Sequence, residues 1–118
     1  MNNMNNLIIE GNVTEKPKLE TSCDGTKFCS VNIAVFRTYK NSAGDFENEV
    51  SYFDIITYGK MAEICSNDCE KGRGIRVVGR LRQEKWTDDG GRKHSKVAIA
   101  AEHIDFKPLV KKPEEDKA

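Results

Sequence analysis

One short stretch of helical periodicity, set between long stretches of strand periodicity, limits the folds open to this chain. Apolar and polar residues alternate from Lys27 to Tyr39 and again from Ile75 to Gln83, which is the pattern of strands with one buried face. After Gly59 the apolar residues recur at helical spacing, and Gly72 lies where such a helix would be capped. The pattern therefore predicts a β-protein interrupted by a single short helix.

Three further strands are predicted from apolar runs that end at turn residues. They are Leu7 to Val13, about Glu49 to Tyr58, and Lys96 to Phe106. A polar loop at residues 40–45 makes a long hairpin of the second and third strands, and Asp88 to Gly91 form a second hairpin turn. The order of elements is that of an OB-fold, a five-stranded Greek-key barrel. We therefore predict an all-β OB-fold with one short helix between strands 3 and 4.

The length of 118 residues is enough for one small domain and its core. We assign residues 1–106 to the OB-fold and residues 107–118 to a short polar C-terminal tail. No apolar run approaches the roughly 20 residues of a membrane helix, and the start lacks the basic and apolar regions of a signal peptide. We therefore expect a cytoplasmic protein with no membrane partner.

The charge of the chain is zero overall but unevenly distributed. Between Lys71 and Lys96, nine basic residues accompany only three acidic ones, which gives this segment a charge of +6 and leaves −6 for the rest. The basic residues are Lys71, Arg73, Arg76, Arg80, Arg82, Lys85, Arg92, Lys93 and Lys96. A positive stripe on an otherwise acidic body suits a polyanion such as nucleic acid, whereas ordinary solvated charges are the alternative that charge alone leaves open.

Aromatic residues share strand faces with these basic residues. Tyr52 and Tyr58 are six positions apart on one predicted strand and project from the same face, while Phe53 and Ile55 point to the other, apolar face. A second such series is Arg76, Arg80 and Arg82, whose register leads to Trp86. Basic groups interleaved with aromatic platforms bind single strands without reading sequence. A lone tyrosine would more simply pack in the core, but the cluster favours nucleic-acid binding.

Five short segments are spread along the chain, namely LIIEGNV at residues 7–13, YGKMAE at 58–63, KG at 71–72, VGRLR at 78–82 and KWTD at 85–88. In their order and spacing these segments resemble the bacterial single-stranded DNA-binding protein family. The resemblance spans Asn5 to Phe106 and implies sequence-independent binding that coats and protects unpaired DNA during replication, recombination and repair. It further implies a homotetramer of OB-folds with DNA wrapped around it, associated with the nucleoid.

The resemblance also carries over site residues. The family's stacking aromatics fall on Tyr39, Tyr52, Tyr58 and Trp86, and its backbone-contacting lysines on Lys60, Lys71 and Lys85. With these lysines we group four arginines as predicted phosphate contacts, namely Arg37, Arg76, Arg80 and Arg82. The partner is single-stranded DNA, and no cofactor, metal or catalytic residue is expected.

Three features depart from the family pattern. Tyrosine replaces tryptophan at two of the usual stacking positions, which makes a smaller platform. Asp54 shares the face of Tyr52 and Tyr58, where it either lowers DNA affinity or is paired with a neighbouring arginine. The segment Pro113 to Ala118 lacks the long linker and apolar-ended acidic tip by which the family recruits repair and replication proteins. We therefore expect no recruitment of those partners through this segment.

Three other classes of function were weighed. No nucleophile, ligand cluster or phosphate loop lies near His94 or His103, so both are read as ordinary strand or surface residues and the chain is predicted not to be an enzyme. An OB-fold adaptor that mainly contacts proteins would have no need of four stacking aromatics. A zinc module is the third class, built from Cys23, Cys29, Cys65 and Cys69. Their spacing matches no common zinc template, and we predict buried free thiols instead.

Overall fold

The alternating segments of the sequence form strands that share one core. The computed structural model describes residues 2–108 and has six strands and one helix. They are β1 (Leu7–Val13), β2 (Leu19–Thr21), β3 (Lys27–Lys40), β4 (Phe46–Tyr58), α1 (Gly59–Asp68), β5 (Gly74–Thr87) and β6 (Lys93–Phe106). Residues 109–118 of the predicted tail lie outside the described residues. The expectation about recruited partners concerns this segment and is therefore not tested by the structure.

Five of the strands close into a barrel. β1 pairs with β5, β5 with β6 and β4 with β3, all antiparallel, while β6 and β4 pair in parallel. The barrel closes where Asn12 and Val13 of β1 pair with Ala34 and Ile33 of β3. This arrangement confirms the predicted OB-fold, with α1 between the third and fourth strands of the barrel.

The short strand β2 was not predicted from the sequence. Its three residues pair with Lys27 to Cys29 at one edge of β3. A three-residue strand, with all its side chains exposed, has no alternation from which it could be recognised. Because of β2, the helix follows the fourth strand in chain order.

The core lies inside the barrel and under the helix. Ile33 and Ile55 are fully buried on β3 and β4, and Ile75 is fully buried on β5. Ala62 of α1 packs into the same cluster. Phe53 shares the inward face of β4 but is 37% exposed, so the core ends between Phe53 and Ile55 along this strand.

The cysteines do not form one cluster. Cys29, Cys65 and Cys69 are fully buried, as predicted, but Cys23 is exposed in the polar turn between β2 and β3, so the prediction of a buried thiol is wrong there. A hydrogen bond that the Cys65 thiol donates to Cys69, together with burial, raises the pKa of Cys65. Within residues 2–108 no three His, Cys, Asp or Glu side chains form a group suited to a metal ion.

Two long hairpins extend from the barrel. The β3–β4 pairing runs unbroken from Phe28 opposite Tyr58 to Lys40 opposite Phe46, and the β5–β6 pairing reaches Thr87 opposite Lys93. The β5–β6 register shifts between Val78 and Gly79, as it does at a β-bulge. A Cβ at Gly79 would lie 2.3 Å from the carbonyl oxygen of Ala100. The described helix, with ten residues, is not long and apolar enough to cross a membrane.

Candidate nucleic-acid interface

The outer surface of the β3–β4 hairpin carries two of the predicted stacking residues. Tyr58 lies opposite Phe28 and Tyr52 lies opposite Ala34, and cross-strand partners project to the same side of a sheet. The side chains of Tyr52 and Tyr58 are 61% and 42% exposed. We call this surface, which bears Tyr52, Asp54 and Tyr58, the tyrosine face. Its two exposed rings confirm the shared face predicted from the spacing of the tyrosines.

Phe36 extends the tyrosine face along the hairpin. It lies opposite Val50, and this pair is the next one along the hairpin that projects to the same side as Ala34 and Tyr52. Phe36 is 69% exposed. Phe36 was not among the predicted binding residues, although the alternation of β3 placed it on the same face as Ala34. Its exposed ring offers a further stacking surface next to Tyr52.

Tyr39 lies on the opposite side of the same hairpin. It is five residues from Ala34 on β3, so its ring projects away from the tyrosine face. Its hydroxyl donates a 2.9 Å hydrogen bond to Glu47, which raises the pKa of Tyr39, and the guanidinium of Arg37 lies 5.1 Å from its ring centre. The structure therefore brings Tyr39 and Arg37 together, but apart from the tyrosine face.

Trp86 is an exposed platform at the far end of the β5–β6 hairpin. Its side chain is 47% exposed, and its ring stacks on that of His94 with 5.4 Å between centres and 19° between planes. Nε2 of His94 lies 2.8 Å from Oδ2 of Asp88. Oδ1 of the same carboxylate accepts hydrogen bonds from the backbone N–H groups of Gly90 and Arg92. The turn thus fixes the imidazole, and the imidazole covers one face of the indole.

His94 was predicted to be an ordinary strand or surface residue, and its contact with Trp86 was not foreseen. Trp86 and His94 are cross-strand partners on either side of the predicted turn. Their similar distances from that turn in the sequence could have indicated that the two rings lie side by side. Lys85 and Lys93 line the shallow groove of about 480 Å³ beside the two rings. The hairpin end therefore combines stacked aromatic rings with positive charge.

The three arginines of β5 have different neighbours. Arg82 donates a 2.7 Å hydrogen bond to the hydroxyl of Tyr58, and its guanidinium lies 5.9 Å from the centre of that ring. Arg80 instead lies 3.7 Å from Glu102, and Arg76 donates a 2.6 Å hydrogen bond to Glu10. This bond lowers the pKa of the Glu10 carboxyl. Only Arg82 of the three thus contacts the tyrosine face directly.

The three predicted lysines are all exposed. Lys60 is the second residue of α1, Lys71 lies in the turn after α1, and Lys85 precedes Trp86. None of them forms a salt bridge with another residue between 2 and 108. Within the part of the chain that the structure describes, their ammonium groups are therefore available for contact with phosphate.

Asp54 is paired, but with a different residue from the one expected. The amide of Asn32 donates a 2.9 Å hydrogen bond to one carboxylate oxygen, and Nζ of Lys96 donates a 3.2 Å hydrogen bond to the other. The hydrogen bond from Asn32 is the largest cause of the lowered pKa of Asp54. The hydrogen bond and the positive charge of Lys96 lower this pKa further. The expected arginine neighbour is therefore wrong, because the parallel pairing of β6 with β4 brings a lysine to this position.

The sequence of this chain is similar to that of known proteins. The model of the single-strand binding protein family matches residues 4–107. The chain belongs to this family. A single-stranded DNA-binding protein of Aquifex aeolicus is 41% identical over 101 residues, which cover 86% of this chain and 68% of that protein. One of Wolinella succinogenes is 35% identical over 100 residues, which cover 85% of this chain and 62% of that protein.

Solved structures agree with the fold of a single-strand binding protein. The crystal structure of the single-stranded DNA binding protein from Thermus aquaticus matches with a TM-score of 0.76 at 28% identity, covering 89% of this chain and 50% of that chain. A Plasmodium falciparum SSB in complex with single-stranded DNA shares the fold, with a TM-score of 0.82 at 17% identity, covering 92% and 98%. The single-strand binding protein family is non-enzymatic, in agreement with the prediction that the chain is not an enzyme.

Proposed function

We propose that this chain binds single-stranded DNA without sequence preference, and so coats and protects unpaired DNA during replication, recombination and repair. The observation that carries the proposal is the contact between Arg82 and Tyr58, which joins an exposed aromatic ring to an exposed cation on one surface. A base can stack on the tyrosine ring, and the phosphate of the same nucleotide can then pair with the neighbouring guanidinium. Its place of action would be the nucleoid, in the cytoplasm.

The proposed contacts explain why sequence would matter little. Every base has an aromatic face, so stacking on Tyr52, Tyr58 or Trp86 accepts any base, at about 1–3 kcal/mol per stacked base. Arginine and lysine contacts to phosphate position the strand but carry no sequence information. A duplex keeps its bases stacked on one another, so its bases cannot use the aromatic platforms.

Titration with oligo-dT tests the proposal, because Trp86 is the single tryptophan and its fluorescence reports stacking. We expect quenching and tight binding, with a logarithmic salt slope of about −0.7 for each phosphate neutralised. The matched control is a duplex of equal length in the same buffer. Duplex binding as tight as that of oligo-dT would contradict the proposal, and a flat salt response would exclude the basic residues of β5 as the contact surface.

The family resemblance suggests a homotetramer, and we propose that β1 contributes to self-association. Leu7 to Gly11 pair with β5 along one edge, whereas only Asn12 and Val13 pair with β3 along the other. Ile8 on this strand is 71% exposed. An open strand edge with an exposed apolar side chain is a ready surface for pairing with another chain.

Light scattering tests this proposal. We expect a mass four times that of one chain for the wild type, because four is the number implied by the resemblance. Ile8→Glu is expected to lower the mass, since a charge on β1 opposes burial of that edge. Glu20→Ala, on the exposed edge strand β2, serves as the control and should leave the mass unchanged. A wild-type mass of one chain would overturn the proposal.

A further inference from the structure

A row of polar contacts crosses the tyrosine face from strand to strand. The hydroxyl of Thr14 donates to the side-chain oxygen of Asn32 over 2.9 Å, and the amide of Asn32 donates to Asp54 over 2.9 Å. Lys96 of β6 then reaches Asp54 at 3.2 Å and Glu84 of β5 at 3.9 Å. The row therefore lies between Tyr52 and Tyr58, in the middle of the surface proposed to bind DNA.

The charges in this row do not balance. Lys96 has two carboxylates around it, so the three side chains together have a charge of −1. The side chain of Lys96 is nevertheless 46% exposed, and its ammonium lies on the same surface as the tyrosines. Lys96 belongs to the basic segment between Lys71 and Lys96, but it was not among the residues predicted to contact DNA.

We propose that Lys96 is a phosphate contact of this protein and that Asp54 holds it in the free state. Binding of single-stranded DNA then exchanges the Asp54–Lys96 ion pair for a phosphate–Lys96 pair. This inference rests on the proposed function and adds to it a residue that binds DNA and a residue that lowers affinity. The exchange moves one ammonium and breaks no covalent bond.

The neighbours of the pair make this exchange feasible. After Lys96 leaves, Asp54 keeps the hydrogen bond from Asn32, and Asn32 is itself held by Thr14, so the carboxylate is not left without a partner. Exposed lysine–carboxylate pairs contribute little to stability, and the flexible stem of lysine lets its ammonium turn to a new partner. On the other side of Asp54, a neighbouring groove is lined by Glu15, Lys16 and Lys18, so that Asp54 also has cationic side chains nearby other than Lys96.

The test is a double-mutant cycle of Asp54→Asn and Lys96→Gln, measured by oligo-dT binding at several salt concentrations. Asparagine keeps the shape of the side chain and an acceptor for Asn32, so folding should be preserved, which thermal melts of each variant check. We expect Asp54→Asn to tighten binding about fivefold, because a charge is removed and no ion pair has to break. We expect Lys96→Gln to weaken binding and to reduce the salt slope by about 0.7.

The sign of the coupling decides between explanations. If Lys96 contacts phosphate, Lys96→Gln weakens binding more in the Asp54→Asn background than in the wild type, because only the wild type loses an ion pair on binding. If Lys96 merely shields Asp54, Lys96→Gln weakens binding in the wild type and has no effect with Asn at position 54. That second result, or no effect in either background, overturns the inference.

A second lysine–carboxylate pair provides a matched control. Lys27 and Glu63 lie 3.6 Å apart with similarly exposed side chains, and Lys27 projects to the opposite side of β3 from Asn32. Lys27→Gln and Glu63→Gln make the same charge changes, and we expect no coupling between them in DNA binding. If the wild type fails to bind oligo-dT, the proposed function fails. If it binds but the cycle lacks the expected coupling, only the present inference fails.

Discussion

Ile55→Ala is expected to lower the free energy of unfolding by about 2–5 kcal/mol, while the folded protein still binds oligo-dT as the wild type does. Ile55 is fully buried on β4, opposite Val31 of β3 and beside Ile99 of β6. Shortening it leaves a cavity at the centre of the barrel. Its chain neighbour Asp54 projects to the other side of the sheet, so the tyrosine face loses no side chain. Urea unfolding and oligonucleotide titration measure the two effects.

Ile55→Val is the graded control for this prediction. Removal of a single methylene group should cost about 0.5–1.5 kcal/mol of stability, again without a change in binding by the folded protein. Weaker binding by Ile55→Ala with unchanged stability would contradict the assignment of Ile55 to the core.

Trp86→Ala is expected to weaken single-strand binding by about 1–3 kcal/mol and to leave the stability within roughly 0.5 kcal/mol of the wild type. The indole is half-exposed beyond the barrel core, and its packing partner is the ring of His94. Because the substitution removes the only tryptophan, binding should be followed by the anisotropy of a labelled oligonucleotide. Thermal melts give the stability.

Trp86→Phe is the matched variant, since it keeps an aromatic ring at this position and should retain part of the affinity. His94→Ala should weaken binding less than Trp86→Ala, because it removes the ring that orients the indole and leaves the indole itself. If Trp86→Ala chiefly unfolds the protein, and its folded fraction binds normally, then Trp86 is a structural residue and the stacking assignment at this position is wrong.

The barrel was predictable because its signals are local. The alternation through Cys29, Val31 and Ile33 predicts a half-buried strand, and the structure buries all three residues completely. The change of period after Gly59 predicts the helix in the same way, and α1 begins at Gly59. Where the local signal was absent, as in β2, the prediction also failed.

The site was predictable only in part. Spacing alone put Tyr52 and Tyr58 on one face, and the structure agrees. The same alternation, followed to the end of β3, would have put Tyr39 on the opposite face with Val35, and Phe36 beside the tyrosines. The family resemblance implied a stacking role for Tyr39, and a correspondence of sequence positions contains no information about the side of the hairpin on which a ring lies.

The sequence by itself thus determined which segments form strands, which residues share a face, and where aromatic and basic residues alternate. Only the tertiary structure decided which charges meet. Arg76 is paired with Glu10 and Lys96 with Asp54, across 66 and 42 positions of the chain, while Arg82 contacts Tyr58. Periodicity follows from the geometry of one strand's backbone and is visible in a few consecutive residues. Ion pairs between strands depend on which edges meet when the barrel closes, and closure is a property of the whole chain.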